Sequence, residues 1–186
     1  MLTSISPLGE RARGHRWGTT VTAYVVASVL GGLTIGAALG ALGSLFSPQP
    51  IVAAAVCAVA AVADLVRRLP TVRRQVDEDW LSRYRGWVYG VGYGYQLGLG
   101  FVTIVTSAAT YAALALCALG GSLVVGAAIG SCFGLVRALP ILLLRTATTP
   151  DRLRSVAAGL ERMSAAAGRA TVVVLGAAAV ALAVTA

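Results

Sequence analysis

Polar and apolar positions fall into long blocks along this chain. No residue from Trp17 to Ala63 carries a charge, and none does from Gly86 to Val136. The apolar runs cover residues 17–46, 51–66, 87–119, 122–144 and 170–186. Ser47-Pro48-Gln49-Pro50 and Gly120-Gly121 supply turn chemistry between neighbouring runs. A helix that crosses a bilayer needs roughly 20 predominantly apolar residues. A chain of 186 residues cannot enclose this many helices that are apolar all round, so lipid is the solvent the pattern requires. The prediction is an all-α, polytopic helix bundle in one domain, residues 1–186, with about five transmembrane helices. Runs 17–46 and 87–119 would be about 45–50 Å long as straight helices, against a hydrocarbon core of about 30 Å. Such runs are tilted, project beyond the bilayer, or break near their glycines. Splitting run 17–46 into a hairpin at Gly31-Gly32 would give six helices, but two of them too short to span, so one long helix is expected there.

Composition supports this and charge orients it. Hydrophobic residues make up 58% of the chain and charged ones 12%, where a soluble domain carries about 25% charged residues. The net charge of +8 comes from 15 basic residues, all arginine. They concentrate in a leader (1–16) and two connectors (67–86 and 145–169). Five crossings with a cytoplasmic N-terminus place all three basic segments on the cytoplasmic side, as the positive-inside rule requires. Connector 145–169 reads as a short amphipathic surface helix, separate from the last span. No cleavable signal peptide is evident. All-Arg usage with abundant Ala, Gly and Val points to a bacterium, hence to a multi-pass protein of the inner membrane. Arginines beside apolar segments orient a protein in lipid, so nucleic acid is not an expected partner.

Glycine spacing predicts how the helices meet. Gly32, Gly36 and Gly40 share one helix face, as do Gly86, Gly90, Gly94 and Gly98, and Gly126, Gly130 and Gly134. Small residues at this spacing let backbones approach closely. They make a homo-oligomer or a membrane-protein partner, beside the bilayer itself, the expected associations. Gly36-Ala37-Ala38-Leu39-Gly40 is echoed by Gly126-Ala127-Ala128-Ile129-Gly130 on a helix running the other way, the relation an inverted repeat needs.

Polar residues inside spans point to function. Tyr93, Gln96, Thr103, Thr106, Ser107, Thr110 and Tyr111 crowd the third run. Thr103, Thr106, Ser107 and Thr110 follow helical spacing and would line a path, or bond back to the helix carbonyls. Asp64 stands one turn before Arg67 and Arg68, where a local ion pair is expected. Arg137, in the fourth run, snorkels, pairs with Asp64 across the bundle, or serves in gating or anion coordination. Cys57 and Cys132 fall at similar depth and are the candidates for a redox pair. Neither a CxxC pair nor a Cys/His cluster occurs, so no metal site is expected. No cofactor is expected, and without a Walker motif, GxSxG or HExxH an enzyme is the less favoured class.

From Trp87 the chain reads WVYGVGYGYQLGLGFVTIVTSAATYAALALCAL, then GGSLVVGAAIGSCFGLVRALPILLL, a basic connector and a last helix. This order resembles the second half of the DsbD/CcdA transmembrane domain of cytochrome c biogenesis, in the LysE-like group. The resemblance implies a similar architecture and, by extension, a transmembrane thiol–disulfide relay. The Pro-Cys motifs that carry electrons in that family are absent, and Thr103–Ser107 stands in the corresponding stretch. The residues themselves favour a small carrier-like protein that binds or moves a solute or ion in a Thr/Tyr-lined bundle. A non-catalytic subunit or anchor of a larger complex is the other alternative.

Overall fold

The computed structural model describes residues 5–46, 49–66, 79–101 and 107–184. All regular structure in them is helical: α1 (Pro7–Ala12), α2 (Trp17–Gly43), α3 (Pro50–Val66), α4 (Trp80–Arg83), α5 (Gly86–Leu99), α6 (Ala109–Leu119), α7 (Leu123–Ala138), a 3-10 segment (Leu139–Thr146) and α8 (Pro150–Val184). Among the described residues, three stretches are long and apolar enough to cross a membrane: Trp17–Gly43, Leu123–Thr146 and Pro150–Val184. The helices Pro50–Val66 and Ala109–Leu119 are apolar but shorter. Large apolar side chains such as Leu45, Val59, Leu65, Val124 and Val174 lie on the outside, a surface that suits lipid and not water.

The core is α2 wedged between α5 and α7, and glycine makes the wedge possible. On one face of α2, Gly31 abuts the backbone of Tyr95 and Gly98. One residue on, Gly32 abuts the backbone of Gly130 and Gly134 of α7. All three predicted glycine faces are spent on these contacts. The α5 glycines track α2 in the same direction: Gly90 against Thr20, Gly94 against Tyr24 and Gly98 against Ser28. The α7 glycines track it in the opposite direction: Gly134 against Ser28, Gly130 against Gly32 and Gly126 against Gly36. The two copies of the Gly-Ala-Ala-Leu/Ile-Gly sequence therefore lie face to face and antiparallel. Ser28 Oγ donates to the Gly134 carbonyl at 2.7 Å across this interface, and dispersion at close backbone approach does the rest.

Outside this core, α3 packs on α6 and α8 around Ala60, Ala61, Ala108, Ala112 and Leu175. At the other extreme, α1, the 3-10 segment and the start of α8 gather over the end of the core where α2 and α5 begin, around Ile5, Tyr24, Tyr89, Ile141 and Leu144.

Run 87–119 takes one of the three courses open to it, a break near its glycines, since α5 ends at Leu99 before Gly100 and α6 starts at Ala109. One expectation needs correction: 145–169 is not a separate surface helix. The 3-10 segment closes α7, and α8 then runs unbroken from Pro150 through Val184. Its junction near Arg169 changes in polarity and holds no proline, and the Ala and Arg residues around Gly168 are helix formers strong enough to carry the helix across that one glycine. Run 17–46, by contrast, contains one 27-residue helix and no hairpin.

Candidate functional site

The interruption between α5 and α6 is the most distinctive feature of the bundle. Gly100 closes α5 with φ +82°, a conformation that favours glycine. A side chain there would also press on the Phe133 ring, 3.0 Å away. Ending a helix in an apolar surround strands its last carbonyls. Arg137, on the last turn of α7, answers this by donating to the Leu97 carbonyl at 3.0 Å and reaching the Gly100 carbonyl at 3.5 Å. Its guanidinium lies 5.3 Å from the Phe133 ring centroid, one turn back along the same helix.

The other side of the break is its electrostatic complement. Asp64, near the end of α3, accepts from Ser107 Oγ at 2.7 Å and from the backbone N–H of Ala108. Ser107 Oγ in turn accepts from the N–H of Ala109 at 3.1 Å. A cation thus sits at the C-terminal end of one half-helix and a carboxylate at the N-terminal end of the next, the arrangement that helix dipoles favour. Arg137→Leu is expected to destabilise the protein by about 2 kcal/mol by stranding these carbonyls. Arg137→Lys should recover only part, since a compact ammonium on a shorter side chain cannot stack on the Phe133 ring as the planar guanidinium does. Thermal unfolding in detergent checks both, and an unchanged midpoint for Arg137→Leu would show the cap to be idle.

The predicted polar set is dispersed by this geometry. Ser107 and Thr110 flank the start of α6, with Thr110 buried. Thr103 and Thr106, the other members of the expected Thr stripe, lie outside the described residues, and α6 begins only at Ala109. Tyr93 is buried in the core, edge-on to Tyr89. Gln96 and Tyr111 are half-buried on α5 and α6. Asp64 and Arg137 do not pair across the bundle, because each serves a different helix end. Arg67 and Arg68, the expected local partners of Asp64, lie outside the described residues. Cys57, Cys117 and Cys132 are all free thiols. Cys57 is enclosed within α3 while Cys132 faces outward from α7, so the geometry presents no Cys57–Cys132 pair. Among the described residues no group of three His, Cys, Asp or Glu side chains is placed to hold a metal ion.

A second polar cluster lies where sequence reasoning saw only a basic leader. Ser6 caps α1 by accepting from the Gly9 N–H at 3.1 Å, and Pro7 occupies the first helical position. The short helix so started delivers Glu10 to the mouth of the core, where it is fully buried. Its carboxylate accepts from Thr20 Oγ1 at 2.6 Å, from Arg13 at 2.7 Å and from the Tyr89 hydroxyl. His15 Nδ1 lies 4.0 Å from the same carboxylate and 3.4 Å from the Tyr89 hydroxyl. Burial pushes the Glu10 pKa up, but the hydrogen bonds from Thr20, Tyr89 and Arg13 outweigh it and hold the carboxyl below its ordinary range. Arg13 is answered in kind. Burial opposes its charge, the bond to Glu10 restores it, and its pKa is raised. A side chain on Gly86 would strike Thr20 Oγ1 and come within 3.0 Å of Glu10. The Ser-Pro start was the available signal for this cluster.

No family model matches the chain, and no solved structure does. Curated proteins do. The chain is similar to the methylamine utilization protein MauF. MauF of Paracoccus versutus is 29% identical over 190 residues, covering 95% of this chain and 69% of the relative. MauF of Methylophilus methylotrophus is 28% identical over 151 residues, 75% of this chain and 53% of that protein. MauF of Methylobacillus flagellatus is 30% identical over 135 residues, 68% of this chain and 48% of that protein. The chain thus spans about half the length of two of these relatives and 69% of the third. These matches overturn the resemblance to the DsbD/CcdA family. The Gly, Ala and Leu pattern that carried that resemblance is what any tightly packed membrane bundle needs, and MauF supplies the likeness across nearly the whole chain.

Proposed function

We propose that this protein is an integral membrane component of methylamine utilization, a non-catalytic accessory of the MauF kind. The observation that carries the reading is similarity to MauF of Paracoccus versutus through 95% of the chain. In this reading α2, α3, the interrupted α5–α6 pair, α7 with its 3-10 segment, and α8 make five crossings of the bacterial inner membrane. The helix directions support that count. With α2 and α5 parallel and α7 antiparallel to α2, one crossing by α3 separates the first pair and none separates α6 from α7. The arginine-rich end then faces the cytoplasm. Because the glycine faces are occupied inside the chain, a membrane partner or a second copy would meet other surfaces.

The interrupted span favours a second reading, a carrier for a small solute, since broken helices near mid-membrane build many solute sites. It ranks second because the chain's own Arg137 and Asp64 already hold the two helix ends.

Growth separates these readings from chance similarity. A Paracoccus versutus strain lacking MauF and expressing this chain is expected to grow on methylamine. Absence of growth, with the protein found in the membrane fraction, would refute the accessory reading.

A further inference from the structure

We infer that the arginine-rich end of the bundle is a docking surface for anionic phospholipid headgroups. The inference rests on the membrane-spanning reading above and adds the chemistry of the lipid. Its basis is a convergence that the linear sequence hides. Arg11 on α1, Arg16 before α2, Arg85 before α5, Arg145 in the 3-10 segment and Arg152 on α8 come from five elements. Helix directions bring all five to one end. Thr20 of α2 lies against Gly86 and Gly90 at the start of α5. The antiparallel α7 carries the 3-10 segment back to that end, where α1 and the start of α8 pack on it. All five side chains are exposed, and none forms an ion pair with a described residue, whereas Arg83 and Arg154 have Asp79 and Asp151.

The surroundings set the depth of this surface. Trp87 and Tyr84 are 52% and 46% exposed beside Arg85, and amphipathic rings of this kind settle at the headgroup level. Leu139, Leu142 and Leu143 face outward immediately before Arg145. The apolar outer surface therefore stops where the guanidinium groups begin, which is the boundary between acyl chains and phosphates. Arginine suits that position because its planar fork can grip a phosphate through two N–H groups. Charge complementarity then selects a headgroup with net negative charge, such as phosphatidylglycerol, over a zwitterionic one.

The test uses the full chain in nanodiscs of phosphatidylcholine alone or mixed with phosphatidylglycerol. The wild type is expected to unfold several degrees higher in the mixed discs. The triple variant Arg16→Gln/Arg145→Gln/Arg152→Gln should lose that shift while matching the wild type in phosphatidylcholine. Inorganic phosphate added to phosphatidylcholine discs should not reproduce the shift. Equal midpoints for the wild type in the two lipids would overturn the proposal, as would a shift retained by the triple variant or mimicked by free phosphate. Should the triple variant not fold, native mass spectrometry of the wild type decides: retained phosphatidylglycerol over phosphatidylcholine supports the proposal and no preference overturns it. Failure to enter discs of either kind would refute the membrane reading itself, and is distinguishable from entry without lipid preference.

Discussion

Gly130→Ala is expected to destabilise the bundle by about 3 kcal/mol, at the upper end of what an added methyl costs in a packed core. The new Cβ would fall on the Gly32 carbonyl, closer than carbon and oxygen approach in real structures, with the Gly36 Cα at 2.9 Å beyond it. Both obstacles are backbone, so no rotamer change relieves the clash and α2 and α7 must separate. Separation would also lengthen the Ser28–Gly134 hydrogen bond one turn away. A control isolates the packing term. Gly168 of α8 has nothing within 4 Å of a built Cβ. Gly168→Ala should be neutral or stabilising by up to about 1 kcal/mol through helix propensity alone. Loss of helical circular dichroism on heating in detergent compares the two. Equal midpoints for Gly130→Ala and Gly168→Ala would mean that the glycine interface contributes no special stability.

That prediction rests on features legible without a structure. Glycines every four residues on runs 17–46, 87–119 and 122–144 mark close backbone approach whatever the partner is. The structure supplies only which faces meet. The break between α5 and α6 was less accessible. The glycines of run 87–119 offered a break as one of three ways to fit it to the bilayer, but residues 99–109 stay apolar or weakly polar and do not fix its place. The groups that hold the broken ends, Arg137 and Asp64, arrive from other helices. Reading Ser107 and Thr110 as members of one stripe assumed a helix running through both, and the start of α6 at Ala109 places Ser107 before it. The continuity of α8 was missed for the opposite reason. Its polarity changes near Arg169, while a single glycine among Ala and Arg residues lowers helix propensity too little to end the helix there. Glu10 was passed over because one acid among arginines looks like a solvated charge. Its partner Tyr89 is 79 residues away, and only the fold brings the two together.

Glu10 provides the second large effect. Glu10→Leu is expected to cost about 3 kcal/mol, the lower end for removing one partner of a buried pair, since Arg13 keeps partial access to solvent. The variant leaves the hydroxyls of Thr20 and Tyr89 and the Arg13 guanidinium without their common acceptor. Helix α1 should then detach from the core, which trypsin would report as faster cleavage after Arg11 and Arg13. Glu10→Gln preserves much of the shape and tests the charge. The Glu10 carboxyl has a lowered pKa in the folded protein, so its contribution is fully present above the ordinary carboxylate range. It is lost as pH falls through the lowered value, because the unfolded chain takes up the proton first. The wild type should therefore lose stability on acidification more steeply than Glu10→Gln, and the two curves should converge at low pH. Parallel curves would show that the carboxylate is held by shape and not by charge. In that case α1 would be fastened by Ile5 and the capped Ser6–Gly9 turn alone.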